Sequence, residues 1–120
     1  MSKRALVCDD SKMTRCLVAD ILVEDGWDVV AEAADGKEAV EAYKQTMPDA
    51  MTLDLIMEGS DGLEALEGIR HFDPHAKIVV VTSVTHEKLI KTLLARGIQD
   101  YITKPIVAEQ LLRSMSACVS

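Results

Sequence analysis

The chain has 120 residues, 48% of them hydrophobic, and carries a formal charge of -7 at pH 7. That length suits one domain with a real core. With no block of Lys/Arg to offset the acidic balance and only 3% aromatic residues, the attraction and base stacking that drive nucleic-acid binding are excluded. The longest aliphatic run, Ile78 to Val81, falls far short of the ~20 apolar residues of a membrane span, and the Met-Ser-Lys-Arg start leads into a strand-like segment rather than a signal sequence. The expectation is a cytoplasmic protein, monomeric or weakly dimeric, with no nucleic-acid partner and no membrane insertion.

Apolar runs at Ala5 to Cys8, Ala50 to Leu53 and Ile78 to Val81 are each followed by a longer stretch of helical spacing. In chain order, the first strand leads to a helix with Met13, Leu17 and Ile21 on one face and Gly26 at its end. A polar-interrupted strand, Trp27 to Ala31, leads to a helix that pairs Ala39 with Tyr43 and stops before Pro48. The third strand precedes a helix using Leu63, Leu66 and Ile69 and stopping before Pro74. The fourth precedes one using Ile90, Leu93 and Leu94, with Gly97 as its stop. A second interrupted strand, Gln99 to Thr103, and a helix with Leu111, Leu112 and Met115 complete the chain.

This alternation predicts an α/β fold, a doubly wound five-stranded parallel sheet with five helices. Strands broken by Asp28, Asp100 and Thr103 suit the edges, where one flank is open, so strands one, three and four belong inside. That is compatible with the 2-1-3-4-5 order of flavodoxin-like sheets, an order taken from known folds. No linker, repeat or low-complexity stretch interrupts residues 1–120, which read as a single domain. Cys8, Cys16 and Cys118 are odd in number and lack a CxxC pair, so buried reduced thiols are expected in place of disulfides or a zinc site. Met13, Met47, Met51, Met57 and Met115 read as packing residues, and His71, His75 and His86 as solvent-facing.

Open parallel sheets bind ligands outside the carboxyl ends of their strands. Asp9 and Asp10 end strand one, Asp54 ends strand three, Thr82 ends strand four, and Lys104-Pro105 follows strand five. Strands one and three would be neighbours, so three carboxylates meet and repel one another unless a cation is present. An oxygen-only site suits Mg2+, with Mn2+ as an alternative, better than zinc, and leaves room for a phosphate oxygen. Asp54 is then the candidate nucleophile toward phosphorus and Lys104 the cation that neutralises developing charge. Thr82 can donate its hydroxyl to the acyl phosphate. Plainer readings stand beside these. An acidic pair also suits the start of a helix, Thr82 is an ordinary strand residue, and Tyr101 can be a half-buried edge aromatic.

Asp9-Asp10, Asp54 within Leu-Asp-Leu-Ile-Met, Asp61-Gly62 at the third helix, Thr82-Ser83 and Tyr101-Ile-Thr-Lys104-Pro105, all in order, make the chain resemble the response-regulator receiver domains along essentially its whole length. Within that family it resembles the single-domain, chemotaxis CheY-like kind. The resemblance implies a receiver domain of a two-component system in which Asp54 takes phosphate from the histidine of a partner kinase. It further implies that the backbone carbonyl of Ile56 completes the Mg2+ shell, that the Lys104-Pro105 bond is cis, and that Tyr101 turns inward as Thr82 moves toward phosphate. A downstream protein target would read the face of helix four, strand five and helix five, where His86, Lys88, Lys91, Gln99, Tyr101 and Arg113 fall.

The sequence departs from the family pattern after the acceptor, where the usual Met-Pro is Met57-Glu58. Glu58 either faces solvent or reaches the cation's water shell. Ile56 and Val84, two residues after Asp54 and Thr82, are apolar and cannot orient a hydrolytic water, so slow self-dephosphorylation is expected. Two other functions compete. One is a phosphorelay carrier that passes phosphate to a histidine-phosphotransfer protein. The other is an aspartyl phosphatase or phosphotransferase, which would want an acid where Ile56 stands and a substrate cap for which the chain has no spare length. A switch that promotes its own phosphorylation, without multiple turnover, is the expectation.

Overall fold

In the computed structural model, which describes residues 3–57, 60–83 and 86–119, helices cover both faces of a parallel sheet. Its strands are β1 (Lys3–Cys8), β2 (Trp27–Ala33), β3 (Ala50–Leu53), β4 (Ile78–Thr82) and β5 (Asp100–Thr103). The helices are α1 (Lys12–Glu24), α2 (Gly36–Thr46), α3 (Gly62–Phe72), α4 (Glu87–Ala95) and α5 (Ala108–Val119). Every pairing within this sheet is parallel and the order is β2-β1-β3-β4-β5, the order taken from flavodoxin-like folds, with the interrupted strands β2 and β5 at its edges. β3 and β4 are buried along their whole length because helices shield both sides, whereas the edge strands β2 and β5 retain exposed positions.

Alternation along the strands divides the core in two. Ala5, Val7, Val79 and Val81 pack with Val18 and Leu22 of α1 and Leu111 and Met115 of α5. Leu6, Met51, Leu53 and Val80 point to the other side, against Ala39 and Tyr43 of α2, Leu66 and Ile69 of α3 and Leu93 of α4. Local signals agree with these packings. Ser11 caps α1 by accepting from the Thr14 amide (3.2 Å), Asp35 caps α2 through the Glu38 amide (2.8 Å), and Gly26 and Gly97 take φ 91° after α1 and α4.

Several expectations need correction. Met13 is 83% exposed and Leu17 48%, so α1 buries the neighbouring stripe of Val18 and Leu22. Both stripes are apolar, and helical spacing alone cannot choose between them. Met47 is also exposed, in the left-handed conformation (φ 43°) that ends α2, and Leu94 faces outward on α4. Of the cysteines only Cys8 is buried; Cys16 is exposed and Cys118 half-buried, and all three are free thiols. Asp61 falls in a short antiparallel ladder, Ile56–Met57 with Ser60–Asp61, and α3 begins at Gly62. His71, His75 and His86 are exposed, as read from the sequence. No helix among the described residues is long and apolar enough to cross a membrane.

Candidate functional site

From β1 the chain crosses to β2 on one side and, later, β3 lies on the other, so the carboxyl ends of β1 and β3 flank the crevice where the strand order reverses. Asp9 and Asp54 sit at those ends. The Asp9 amide donates to Ala33 O (3.0 Å) and the Asp54 amide to Cys8 O (3.0 Å), so the ladder extends into the site and fixes both Cα positions. Asp9 Oδ1 accepts from the Ser11 amide (2.9 Å) and Asp54 Oδ1 from the Ile56 amide (3.1 Å). Both side chains are buried, while Asp10 is exposed at the mouth.

Lys104 reaches in from the turn after β5, its backbone amide donating to Thr82 O (2.9 Å). Its ammonium lies 2.8 Å from Asp9 Oδ2 and 2.9 Å from Asp54 Oδ2, bridging the two buried carboxylates. The Lys104-Pro105 bond is cis, as the resemblance implied. Burial pushes the Asp9 carboxyl above its ordinary value; the Lys104 ammonium and the Ser11 amide oppose this, and the Asp54 charge adds to it. Burial works in the opposite direction on Lys104, but hydrogen bonds to Asp9 and Asp54 win and hold its ammonium above the usual lysine value.

One carboxylate oxygen from each of Asp9, Asp10 and Asp54 can be chosen so that all three lie within 4.8 Å of one another. Among the described residues no other group of three His, Cys, Asp or Glu side chains comes together in this way. The donor set is all oxygen and anionic, which fits Mg2+ and offers nothing to a thiolate- or imidazole-seeking ion.

Thr82 is fully buried at the end of β4, paired in register with Thr103. Tyr101 is half-buried against the α2–α4 side of the core, and its hydroxyl is pushed up by burial and by the Asp54 charge. Ile56 is 61% exposed beside the site. Glu58 and Val84 lie outside the described residues. Of the expected reading face, His86, Lys88, Lys91, Gln99 and Arg113 are exposed, and Gln99 Oε1 also accepts from the Ile78 amide (2.6 Å).

Two contributors escaped sequence reasoning. Arg15, one turn into α1, donates to the Asp9 carbonyl and pairs with Glu32. The available signal was an arginine one turn beyond the acidic pair. Gly62, noted only as part of a motif, has a physical role: a Cβ there would stand 2.5 Å from Leu55 Cα and 2.6 Å from both the Asp54 and Leu55 carbonyl oxygens.

A family model described as the response regulator receiver domain matches residues 5–116. The chemotaxis protein CheY of Bacillus subtilis is 36% identical to the chain over 116 residues, 97% of each sequence, and that of Thermotoga maritima is 34% identical over 116 residues, again 97% of each. Among solved structures, the chain is similar to a chain of the CheX-CheY-BeF3-Mg2+ complex from Borrelia burgdorferi. The TM-score is 0.93 at 31% identity, with 98% of this chain and 89% of that one covered.

Proposed function

The chain belongs to the family of response regulator receiver domains, and from that premise we propose that it is a phospho-accepting switch of a two-component chemotaxis pathway. The observation that carries the reading is the Lys104 ammonium bridging Asp9 and Asp54 beside a third carboxylate, Asp10. A carboxylate oxygen of Asp54 attacks the phosphorus of a kinase phosphohistidine. The new O–P bond forms as the P–N bond breaks, and the electron pair stays on the imidazole nitrogen. Lys104, held cationic by its carboxylate partners, neutralises charge building on the transferring oxygens, and the buried Thr82 hydroxyl donates to the phosphoryl group once it arrives. Asp9, Asp10, Asp54 and the Ile56 carbonyl would hold Mg2+, which supplies further charge neutralisation for the phosphoryl oxygens when bound.

Output follows from the same atoms. Thr82 drawn toward phosphate vacates space that Tyr101 can enter, which shifts the α4–β5–α5 face between two states that a target protein tells apart. The similar chain from a complex holding CheX, BeF3 and Mg2+ supports both the metal and a protein target.

Mass spectrometry after incubation with a small-molecule phosphodonor and Mg2+ tests the reading: one phosphoryl group on the wild type and none on Asp54→Asn is expected. An unmodified wild type defeats it. Ile56 cannot orient water, so the phosphoryl group is long-lived, and Ile56→Asn is expected to speed its loss at least about tenfold in a phosphatase-free decay assay. An equal or slower decay in Ile56→Asn contradicts that part.

A further inference from the structure

Arg15 has no place in the chemistry described so far, yet its side chain is committed to the acidic turn. Its Nη1 donates to the Asp9 backbone carbonyl at 2.7 Å, and its Nε lies 3.3 Å from Glu32 Oε1 on β2. Its side chain is only 16% exposed, and its own amide donates to Ser11 O, the carbonyl of the α1 cap. One guanidinium therefore ties together α1, the end of β1 and the end of β2. Every polar group of Asp9 is occupied: the amide by Ala33 O, Oδ1 by the Ser11 amide, Oδ2 by Lys104, and the carbonyl by Arg15. In the first two of these contacts the partner is a backbone group, and Lys104 belongs to the pocket itself. Arg15 is the remaining tie, and it comes from outside the pocket.

We infer that Arg15 is a positioning residue for the phosphorylation site: by clamping the Asp9 carbonyl and anchoring on Glu32, it holds the Asp9-Asp10 turn in the conformation that makes the two carboxylates converge with Asp54. The inference rests on the reading of the pocket as a Mg2+-dependent acceptor. Partners that orient a metal ligand from behind typically matter about 10- to 100-fold in metal affinity. The fork is what allows two partners to be held at once, which an ammonium on a flexible stem does less well.

The sign of the effect separates positioning from charge. Arg15 is a cation near a site for a cation, so if charge alone mattered, its removal would tighten Mg2+ binding. Positioning requires removal to weaken it. Calorimetric titration with Mg2+ is expected to give a dissociation constant about tenfold higher for Arg15→Met, which keeps an apolar stem. Arg15→Lys, which keeps the charge and loses the fork, is expected to fall between it and wild type. Thermal unfolding in EDTA accompanies both variants, and a fold present in EDTA with weakened Mg2+ binding is the signature of positioning. At saturating Mg2+ the phosphodonor reaction of Arg15→Lys should regain most of its rate, placing the defect in affinity.

Unchanged or tighter Mg2+ binding by either variant that folds overturns the inference. So does a rate deficit in Arg15→Lys that saturating Mg2+ leaves untouched. Should Arg15→Met not fold, Arg15→Lys decides alone, with wild-type affinity as the overturning result. A wild type that neither binds Mg2+ nor takes phosphate instead defeats the underlying reading, so the two failures are distinguishable.

Discussion

Replacing Gly62 by alanine adds one methyl group, and the structure says where it lands. The Cβ would lie 2.5 Å from Leu55 Cα and 2.6 Å from the carbonyl oxygens of Asp54 and Leu55. Carbon atoms in comfortable contact stand about 3.5–4.0 Å apart, so roughly 1 Å of movement is needed. All three obstructing atoms are backbone, and none can rotate aside. Either the start of α3 lifts off, straining the Gly62 amide bond to Leu55 O (3.0 Å), or the segment carrying Asp54 retreats from Lys104. Overpacking of this kind costs about 1–3 kcal/mol, which for a chain of this size lowers Tm by roughly 4–12 °C. A displacement near 1 Å at a reacting group can cost about 100-fold in rate, so phosphodonor uptake by Gly62→Ala is expected to fall by about that factor.

Gly68, six residues along the same helix, provides the control. A Cβ there meets a Val40 methyl at 3.2 Å, a side-chain contact that can relax, while the helix gains from alanine. Gly68→Ala should unfold within about 1 kcal/mol of wild type and take up phosphate at the wild-type rate. Thermal unfolding together with timed mass spectrometry measures both. If Gly62→Ala matches Gly68→Ala in both readouts, the close-approach reasoning is wrong.

Lys104→Gln removes the ammonium shared by Asp9 and Asp54. Uptake is expected to drop roughly 100- to 1000-fold, while added Mg2+ raises Tm by more than in wild type, because the three carboxylates then lack their resident cation; a smaller Mg2+ shift would contradict the bridging role. Far from the site, the buried Tyr43 hydroxyl donates to Asp73 Oδ2 (2.7 Å) and is the leading reason the Asp73 carboxyl is held below its ordinary value. A lowered folded value means stability present above the unfolded carboxylate range, near pH ~4, and lost as pH falls through the lower folded value. Tyr43→Phe should therefore cost about 1 kcal/mol at pH 7, with the gap to wild type closing in more acidic buffer. Urea titrations across pH check this, and a gap that widens toward acid refutes it.

Much of the protein is legible in its sequence. Interrupted β2 and β5 against the uncharged β3 and β4 encode edges and centre, because a strand covered on both faces leaves no open flank for a charged side chain. With the strand order taken from known folds, Asp9 and Asp54 must stand side by side at adjacent strand ends, and Lys104 after β5 lies within reach of both. The pocket was readable because its residues sit at positions that chain direction and strand order determine.

Side-chain choices between nearly equal alternatives were not readable. α1 carries apolar stripes through both Met13-Leu17 and Val18-Leu22, and only its approach to β1 and α5 selects the second. The commitment of Gln99 to the Ile78 amide and the clamp of Arg15 on the Asp9 carbonyl join segments distant in sequence or held together by the turn's three-dimensional path. Gly62 belongs to the same class, since its need for a bare Cα comes from the return of the chain onto the Asp54–Leu55 backbone. Periodicity and strand order record which face and which end a residue occupies. Whether a particular guanidinium meets a particular carbonyl depends on distances of a few ångströms between elements, and those exist only after the core has packed.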